Sequence, residues 1–456
     1  MPRPCLTVFA AVCFAFTLSL SSAAAAGLEF AWAVSAGGKG NDKTRAITTD
    51  AQGNVYLAGE FNGPAKFGEH ELPGAGSYDY FLAKCDANGK FLWAHSGGGT
   101  AIDRAYGVAT DPQGNCYVTG HYQSTNATFS GQAVGNAGDY DVFVAKYSPA
   151  GDLLWLKSGG GKGYDYGHGI AVDTRGNAYV TGAIVGDALF GDTTLTNPPG
   201  AHVFCARYDT QGMLRWVKTT AGKGASSGHG IAVDAAGNAY VGGYTGGLSS
   251  LGGHSLTNAK GRDLLVAKFT PSGDVAWVAQ GYGSTNAMAH EIAVDAQGNV
   301  WASGMFKGTA NLAADQSATS HGDSDWLLVH YDRDGKQRWA RSGGGPKVDY
   351  GLGIVAGNKG SAYLTGEFSE TASFDGRTLT SRGATDVYLA VFGPDGKITD
   401  LLQAGGDKGD NAYVITRDAT GNLYLSGSFG GTARYGEHNI SSSGGNDLYV
   451  AKVRAK

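Results

Sequence analysis

The chain has 456 residues, a net charge of −5 and no run of Lys or Arg, which argues against a nucleic-acid partner. Glycine supplies 75 positions, yet hydrophobic residues still make up 42%, a balance that excludes a disordered tract and points to a turn-rich β protein with a large core.

Residues 1–26 read as a secretory signal peptide. Arg3 is the only charge, Leu6 to Leu20 is almost continuously apolar, and Ala24-x-Ala26 is a small-residue cleavage site. The apolar run is short of the ~20 residues that a membrane span requires, so no membrane span is expected. The mature chain, 27–456, would carry −6 once Arg3 is removed and would lie outside the cytoplasm, in the periplasm or secreted. Cys85, Cys116 and Cys205 remain in it, each inside an apolar run. Their odd number and spacing exclude a disulfide framework. Buried free thiols are expected, with a single Cys85–Cys116 bridge as the alternative.

The phrase Asp50-Ala51-Gln52-Gly53-Asn54-Val55-Tyr56 recurs from Asp111, Asp173, Asp234, Asp295, Gly357 and Asp418, at steps of 61 or 62 residues. A fixed period of this size marks a repeat architecture. Repeats lie near 45–98, 106–160, 168–222, 229–283, 290–345, 352–406 and 413–456, the last completed by 28–36. In the first, a strand ends at Asp50 and Asp-x-x-Gly-Asn makes a tight turn. A second strand covers Asn54 to Phe61 and a third Asp79 to Cys85. After the turn Asp86–Gly89 comes a fourth strand with Trp93. These strands are A, B, C and D. B and C are apolar on both faces, so each must be covered on both sides. Four-stranded antiparallel blades packed on like neighbours satisfy that need, which predicts an all-β, seven-bladed β-propeller. The excess length between B and C carries a pair five apart (Phe67/Leu72, Phe129/Val134, Phe190/Leu195), read as a small hairpin folded over the blade. The fifth repeat breaks the pattern at Leu312 and Ser317. The seventh repeat lacks strand D; Leu28 to Val34, with Trp32, should supply it and close the ring, with Trp32 beside Tyr449.

Gly37 to Asp42 (Gly-Gly-x-Gly-x-Asp), Ile170 to Asp173 (Ile-Ala-Val-Asp), Gly176 to Gly182 (Gly-Asn-x-Tyr-Val-x-Gly) and Asp141 to Lys146 (Asp-x-Phe-Val-Ala-Lys) resemble the bacterial SBBP-type β-propeller repeat family. The resemblance covers essentially the whole mature chain. It implies the propeller fold and a secreted or surface protein, and little about mechanism. The chain departs from that pattern by placing Trp on strand D in most repeats.

The Asp-x-x-Gly-Asn turns offer too few oxygens for calcium and are read as turn chemistry. A basic residue late in strand C should form a structural ion pair with the Asp ending strand A. The expected pairs are Asp50 with Lys84, Asp111 with Lys146, Asp173 with Arg207, Asp234 with Lys268, Asp295 with His330 and Asp418 with Lys452. The sixth repeat loses both partners, as Gly357 and Val391, and carries Ser361 and Asp400 where others have Asn and Trp. Drift is the preferred explanation, an outer edge meeting a partner the alternative. Asp42, Asp103, Asp165, Asp349 and Asp410, after the Gly-rich D–A connection, and Asp79, Asp141, Asp263, Asp325, Asp386 and Asp447, opening strand C, are expected to hold loop N–H groups.

The A–B and C–D turns are tight and repetitive, whereas the B–C and D–A connections are long and varied. Binding therefore belongs to the B–C/D–A face. Five residues before the strand-A Asp, at the expected channel mouth, stand Arg45, Tyr106, His168, His229, His290, Leu352 and Tyr413. Arg45, Tyr106, the three histidines and Tyr413 are the candidate ligand-binding residues. His168, His229 and His290 are a candidate set for a divalent transition metal, against the alternative of histidines packing on Gly169 and Gly230. Neither a P-loop nor a Gly-x-Ser-x-Gly elbow occurs, and no catalytic residue is assigned. The preferred reading is a non-catalytic scaffold, expected to be monomeric, that binds a protein, peptide or glycan. The alternative is a metal-dependent propeller enzyme of lyase or lactonase type. A purely structural envelope component is a third possibility.

Overall fold

The computed structural model describes residues 27–257, 261–281, 286–313 and 316–456, without the side chains of 312, 313 and 316. The expected leader 1–26 and the Leu312 side chain lie outside the described residues. The rest is all-β, organised as four-stranded antiparallel sheets in the order A–B–C–D. In the first unit these are Lys43–Thr49, Val55–Phe61, Asp79–Cys85 and Phe91–Gly98. Every residue of its B and C strands is buried, as the two-faced apolar pattern requires. Among the described residues no sheet closes on itself through hydrogen bonds.

The apolar core lies between the sheets. One cluster joins Tyr56, Tyr80 and Leu82 of the first unit to Val118, Phe143 and Tyr147 of the second. Another joins Leu448 and Val450, near the C-terminus, to Leu57 and Phe81. Leu28–Gly38 pairs antiparallel with Asp447–Ala455, so the N-terminal strand is strand D of the last sheet. The register differs from expectation: Ser35, not Trp32, stands opposite Tyr449, and Trp32 faces Lys452 with its indole 6.0 Å from the Tyr424 ring. Successive A strands pack together from Lys43–Thr49 round to Asp410–Arg417, which packs against Lys43–Thr49 in turn.

The small hairpin between B and C is not folded over its own sheet. Ala65–Phe67 pairs with Gly37 and Gly38 of the preceding unit's strand D, and Thr128–Phe129 pairs with Gly97 and Gly98 in the same way. Ala188–Phe190 and Thr432–Tyr435 repeat the arrangement. The hairpin thus covers an otherwise open edge and ties one unit to the next.

The turn Asp does what a short acceptor side chain can do. Asp50 Oδ1 accepts the N–H groups of Gln52 and Asn54 at 3.0 and 2.9 Å, its Oδ2 accepts the Asn54 amide at 2.7 Å, and Gly53 takes the left-handed φ of +79°.

The expected set of six ion pairs is corrected by the structure, which forms two of them. Lys84 Nζ lies 3.5 Å from Asp50 Oδ2, and Lys146 Nζ lies 3.5 Å from Asp111 Oδ2, both buried. Even Lys84 departs from a simple pair within one unit. Its Nζ sits over the Tyr56 ring at 4.8 Å and also donates to the Pro149 carbonyl of the next unit at 3.3 Å. Lys84 is therefore shared between its own turn Asp and a neighbouring turn. Among the described residues Asp173 with Arg207, Asp234 with Lys268, Asp295 with His330 and Asp418 with Lys452 do not come within ion-pair distance, unlike the first two pairs. There Arg207, Lys268 and Lys452 lie over the strand-B Tyr and reach forward only: Arg207 donates to the Pro271 carbonyl, Lys268 to Arg333 and Lys452 to Ala87. His330 stacks on Trp301 at 4.5 Å, and burial holds its pKa down at about 4. The physical reason is competition. A neighbouring unit's turn carbonyl attracts the same cation, and strands A and C, being twice removed, leave the Asp a long reach away.

Those carbonyls are also where the strand-D tryptophans go. Trp93 donates its indole N–H to Pro149, Trp155 to Thr210, Trp216 to Pro271, Trp277 to Arg333, Trp339 to Pro394 and Trp32 to Ala87, all at 3.0–3.3 Å. Each acceptor is the second residue of the next unit's C–D turn. The seventh unit has no such turn, because its strand D comes from the N-terminal side of the chain; Lys456 N–H donates to Gly27 instead. The sixth unit therefore has no carbonyl to address. It carries Asp400 in place of Trp, and Asp400 Oδ2 accepts the Leu28 N–H at 2.8 Å. Val391 in place of Lys has the same reason. At these two positions the departure matches the local connectivity: Asp400 meets a backbone N–H, and a Lys at 391 would have no turn carbonyl ahead of it.

Candidate functional site

In each A strand the pairing with B skips a residue near the D–A end. The breaks fall between Thr44 and Ala46, Ala105 and Gly107, Gly167 and Gly169, Gly228 and Ile231, Ala289 and Glu291, Gly351 and Gly353, and Ala412 and Val414. The skipped residues are Arg45, Tyr106, His168, His229 with Gly230, His290, Leu352 and Tyr413. A bulged residue leaves the ladder, and its side chain is re-aimed. Here all seven line one axial cavity of about 390 Å³, joined by Tyr350 and Glu367 nearer the long-loop end. That volume is within the range of small-ligand sites.

The side chains form a nearly continuous belt. The Arg45 guanidinium lies over Tyr106 at 5.1 Å and Tyr413 at 5.2 Å. Tyr106 meets His168 edge-on at 5.2 Å, His168 stacks on His229 at 4.7 Å, and His229 meets His290 at 5.8 Å. Two residues further along each A strand stand Ile47, Val108, Ile170, Ile231, Ile292, Ile354 and Ile415, all buried. They make an aliphatic collar around a second cavity of about 170 Å³ below the belt. Sequence reasoning had not assigned this collar, although the β-branched column was visible in the repeat.

The electrostatics are set by three acids that were also missed. Glu60 takes Arg45 at 2.9 Å and Arg104 at 3.1 Å. Glu291 follows a bulged residue, where the other units have Ala46, Gly107, Gly169, Gly230, Gly353 and Val414. A lone carboxyl in a column of small residues was the available signal. Glu367 occupies the Glu60 position of the sixth unit, at the far end of strand B. Burial pushes Glu291 and Glu367 up to about 7. Burial holds His168 and His290 down to about 4, with the Arg45 charge adding to the effect at His168, and keeps His229 well below its ordinary value.

The three imidazoles therefore meet, but not as ligands of one ion. His168 and His229 present faces to one another at 13° between planes, which directs their nitrogens away from a common point. Among the described residues no group of three or more His, Cys, Asp or Glu is arranged to hold a metal ion. The remaining polar predictions resolve into structure. Lys84 and the other strand-C cations lie at the opposite, tight-turn end of the sheets and take no part in the cavity lining. Asp42, Asp165 and Asp349 each accept two loop N–H groups, and Asp103 accepts three together with the Ser124 hydroxyl. Asp79, Asp141, Asp325, Asp386 and Asp447 also accept loop N–H groups, and Asp263 accepts the Gln280 amide. Each Gly between such a pair must lack a side chain: a Cβ on Gly98 would sit 2.6 Å from Asp79 and 2.7 Å from Asp103. Cys85, Cys116 and Cys205 are buried free thiols, and the Cys85–Cys116 bridge does not form.

Four-stranded antiparallel units repeated about an axial cavity define a propeller-like repeat protein. The model of the SBBP β-propeller repeat matches residues 159–184 and 216–248, so the chain carries repeats of this type. It is 26% identical over 229 residues to an uncharacterized WD repeat-containing protein of Acanthamoeba polyphaga mimivirus, a match covering 41% of this chain; the chain spans 16% of that relative's length. Similar solved structures include the Pan2 WD40 domain of Neurospora crassa, with 9% identity, a TM-score of 0.44 and coverage of 94% of this chain and 96% of that one. YCF48 bound to D1 peptide is 9% identical, with a TM-score of 0.41 and coverage of 95% and 99%. A gluconolactonase of Xanthomonas campestris is 14% identical, with a TM-score of 0.35 and coverage of 77% and 86%. Among the described residues no helix is long and apolar enough to cross a membrane.

Proposed function

We propose that the protein is a non-catalytic seven-bladed β-propeller scaffold, 27–456 forming one closed ring, that acts outside the cytoplasm. It binds a protein, peptide or glycan on the B–C/D–A face, with the axial cavity at the centre of the site. The ring is supported by the succession of packed A strands, by the core clusters between neighbouring sheets and by the pairing of Leu28–Gly38 with Asp447–Ala455. The leader-like run Leu6 to Leu20 supports export.

One observation carries the binding reading. Seven equivalent bulged positions surround a single cavity, yet they hold four residue types within a frame that otherwise repeats itself closely. Variation confined to a pocket on a rigid scaffold is what ligand recognition produces. Screening the purified chain against peptide and glycan arrays tests this. A hit that weakens on Arg45→Ala or His229→Ala supports the site, and hits indifferent to both reject it. N-terminal sequencing of protein recovered from the periplasm or medium, expected to start at Gly27, tests export, and its mass in solution should be that of a monomer.

A further inference from the structure

We propose that the axial cavity takes its ligand by a cationic nitrogen, an ammonium or guanidinium group, held by Glu367 beside the ring of Tyr350, with the Glu291 carboxyl adding negative charge to the same cavity. The proposal rests on the reading of the axial cavity as a binding site and names the chemistry that site selects.

The argument is one of unmet charge. Arg45, the cation of the belt, is already matched by Glu60 at 2.9 Å, and its guanidinium is covered by the rings of Tyr106 and Tyr413. Its charge is thereby compensated. The histidines are neutral at pH 7, because burial holds His168 and His290 near 4 and His229 well below its ordinary value. Two carboxyls remain. Glu367 is only 9% exposed, lines the cavity, and its Oε2 is buried with no hydrogen-bond partner. Among the described residues no Lys or Arg lies at ion-pair distance from it; Lys43 acts on it only from further away. Glu291 accepts one hydrogen bond, from the N–H of Ile292 at 3.0 Å, and likewise has no described cation beside it.

A buried carboxylate without a partner, such as Glu367, is costly, and the half-buried Glu291 adds a second acid with no cation beside it to the same cavity. The costs are avoided at most equivalent places: five units have Gly or Ala where Glu291 stands, and the seventh has Val414. The raised pKa values of both acids agree with a missing counter-charge. An incoming ammonium would supply it, and Tyr350, opposite Glu367 in the strand pairing, offers a ring of the kind that attracts desolvated cations. The cavity of about 390 Å³ admits a small amine or one Lys or Arg side chain.

The test is calorimetric titration of the full chain with butylammonium, butylguanidinium and the uncharged control butanol. The tripeptides Gly-Lys-Gly and Gly-Gln-Gly, both N-acetylated and C-amidated, separate a free amine from a peptide side chain. The amines, or the Lys peptide, should bind at least 10-fold tighter than their uncharged counterparts. Glu367→Gln should weaken that binding at least 10-fold, and Glu291→Gln about 3-fold. Thermal unfolding of both variants should be unchanged or shifted upward, because an uncompensated charge has been removed. Equal binding of charged and uncharged probes, no binding of any cation, or amine binding that survives both Gln variants overturns the proposal. Failure here is separable from failure of the wider reading. A peptide or glycan ligand that is lost on His229→Ala yet indifferent to both Gln changes leaves the cavity a binding site and removes only the cation.

Discussion

The outer rim and the axis are built from the same repeat and have diverged to very different degrees. At the rim, six units use one device, a strand-D indole donating to the second residue of the next unit's C–D turn. At the axis, seven bulged positions of equal geometry carry Arg, Tyr, His, His, His, Leu and Tyr. The rim residue is constrained by a backbone carbonyl that every neighbour presents in the same place. The axial residue faces a cavity, where a side chain meets other side chains and water. The single rim exception makes the same point. Asp400 replaces Trp where the neighbouring unit presents a backbone N–H instead of a carbonyl.

That contrast can be broken first away from the axis, at the tight-turn end and the rim of the sheets. Asp111→Ala removes the buried partner of Lys146, whose side chains are 2% and 8% exposed, and with it the turn bonds to Gln113 and Asn115. A loss of about 3 to 5 kcal/mol is expected in urea unfolding, because Lys146 is left buried and unpaired. Asp50→Ala should cost less than Asp111→Ala, because Lys84 keeps the Pro149 carbonyl as a second acceptor. Asp400→Trp restores the residue found at the other junctions and should nevertheless cost about 1 to 3 kcal/mol. It leaves the Leu28 N–H unsatisfied and gives the new indole no turn carbonyl. If that variant unfolds later than the parent, the explanation of the sixth unit is wrong. Trp216→Phe keeps an aromatic ring facing Phe269 and loses only the bond to Pro271, so about 1 kcal/mol should go, read as a shift in the urea midpoint at constant slope.

The smallest effect separates the two regions by pH. Burial pushes the loop carboxyl of Asp165 up to about 6, so the folded chain holds its proton where the unfolded chain has lost it. Its contribution is fully present below the unfolded value of about 3.8 and disappears as pH rises toward 6. His168 works in the opposite sense. Its folded value is near 4, so its contribution is present above about 6.5 and is lost as pH falls toward 4. Asp165→Asn should therefore gain on the parent as pH rises from 4 to 6, and His168→Gln should gain on it as pH falls from 6.5 to 4. Denaturation midpoints at half-unit steps check both slopes.

Much of this was legible in one dimension. The 61- or 62-residue period, the two-faced apolar B and C strands and the Asp-x-x-Gly-Asn turns determine the sheets, because local turn chemistry and alternation act over a few residues. The bulged column was also readable, since the phase of the strand-A pattern singles out Arg45 and its equivalents. What waited for three dimensions were relations between units. They include which unit each hairpin ties to, why Lys84 divides itself between Asp50 and Pro149 while Lys268 and Lys452 turn wholly forward, why Asp400 stands where it does, and that Glu291 and Glu367 line the same cavity. A side chain's partner depends on what the neighbouring sheet presents within a few ångströms. The repeat by itself determined which elements would form. Only the packing of one sheet on the next decided which charges would be matched at the rim and which would be left facing the axis without a partner.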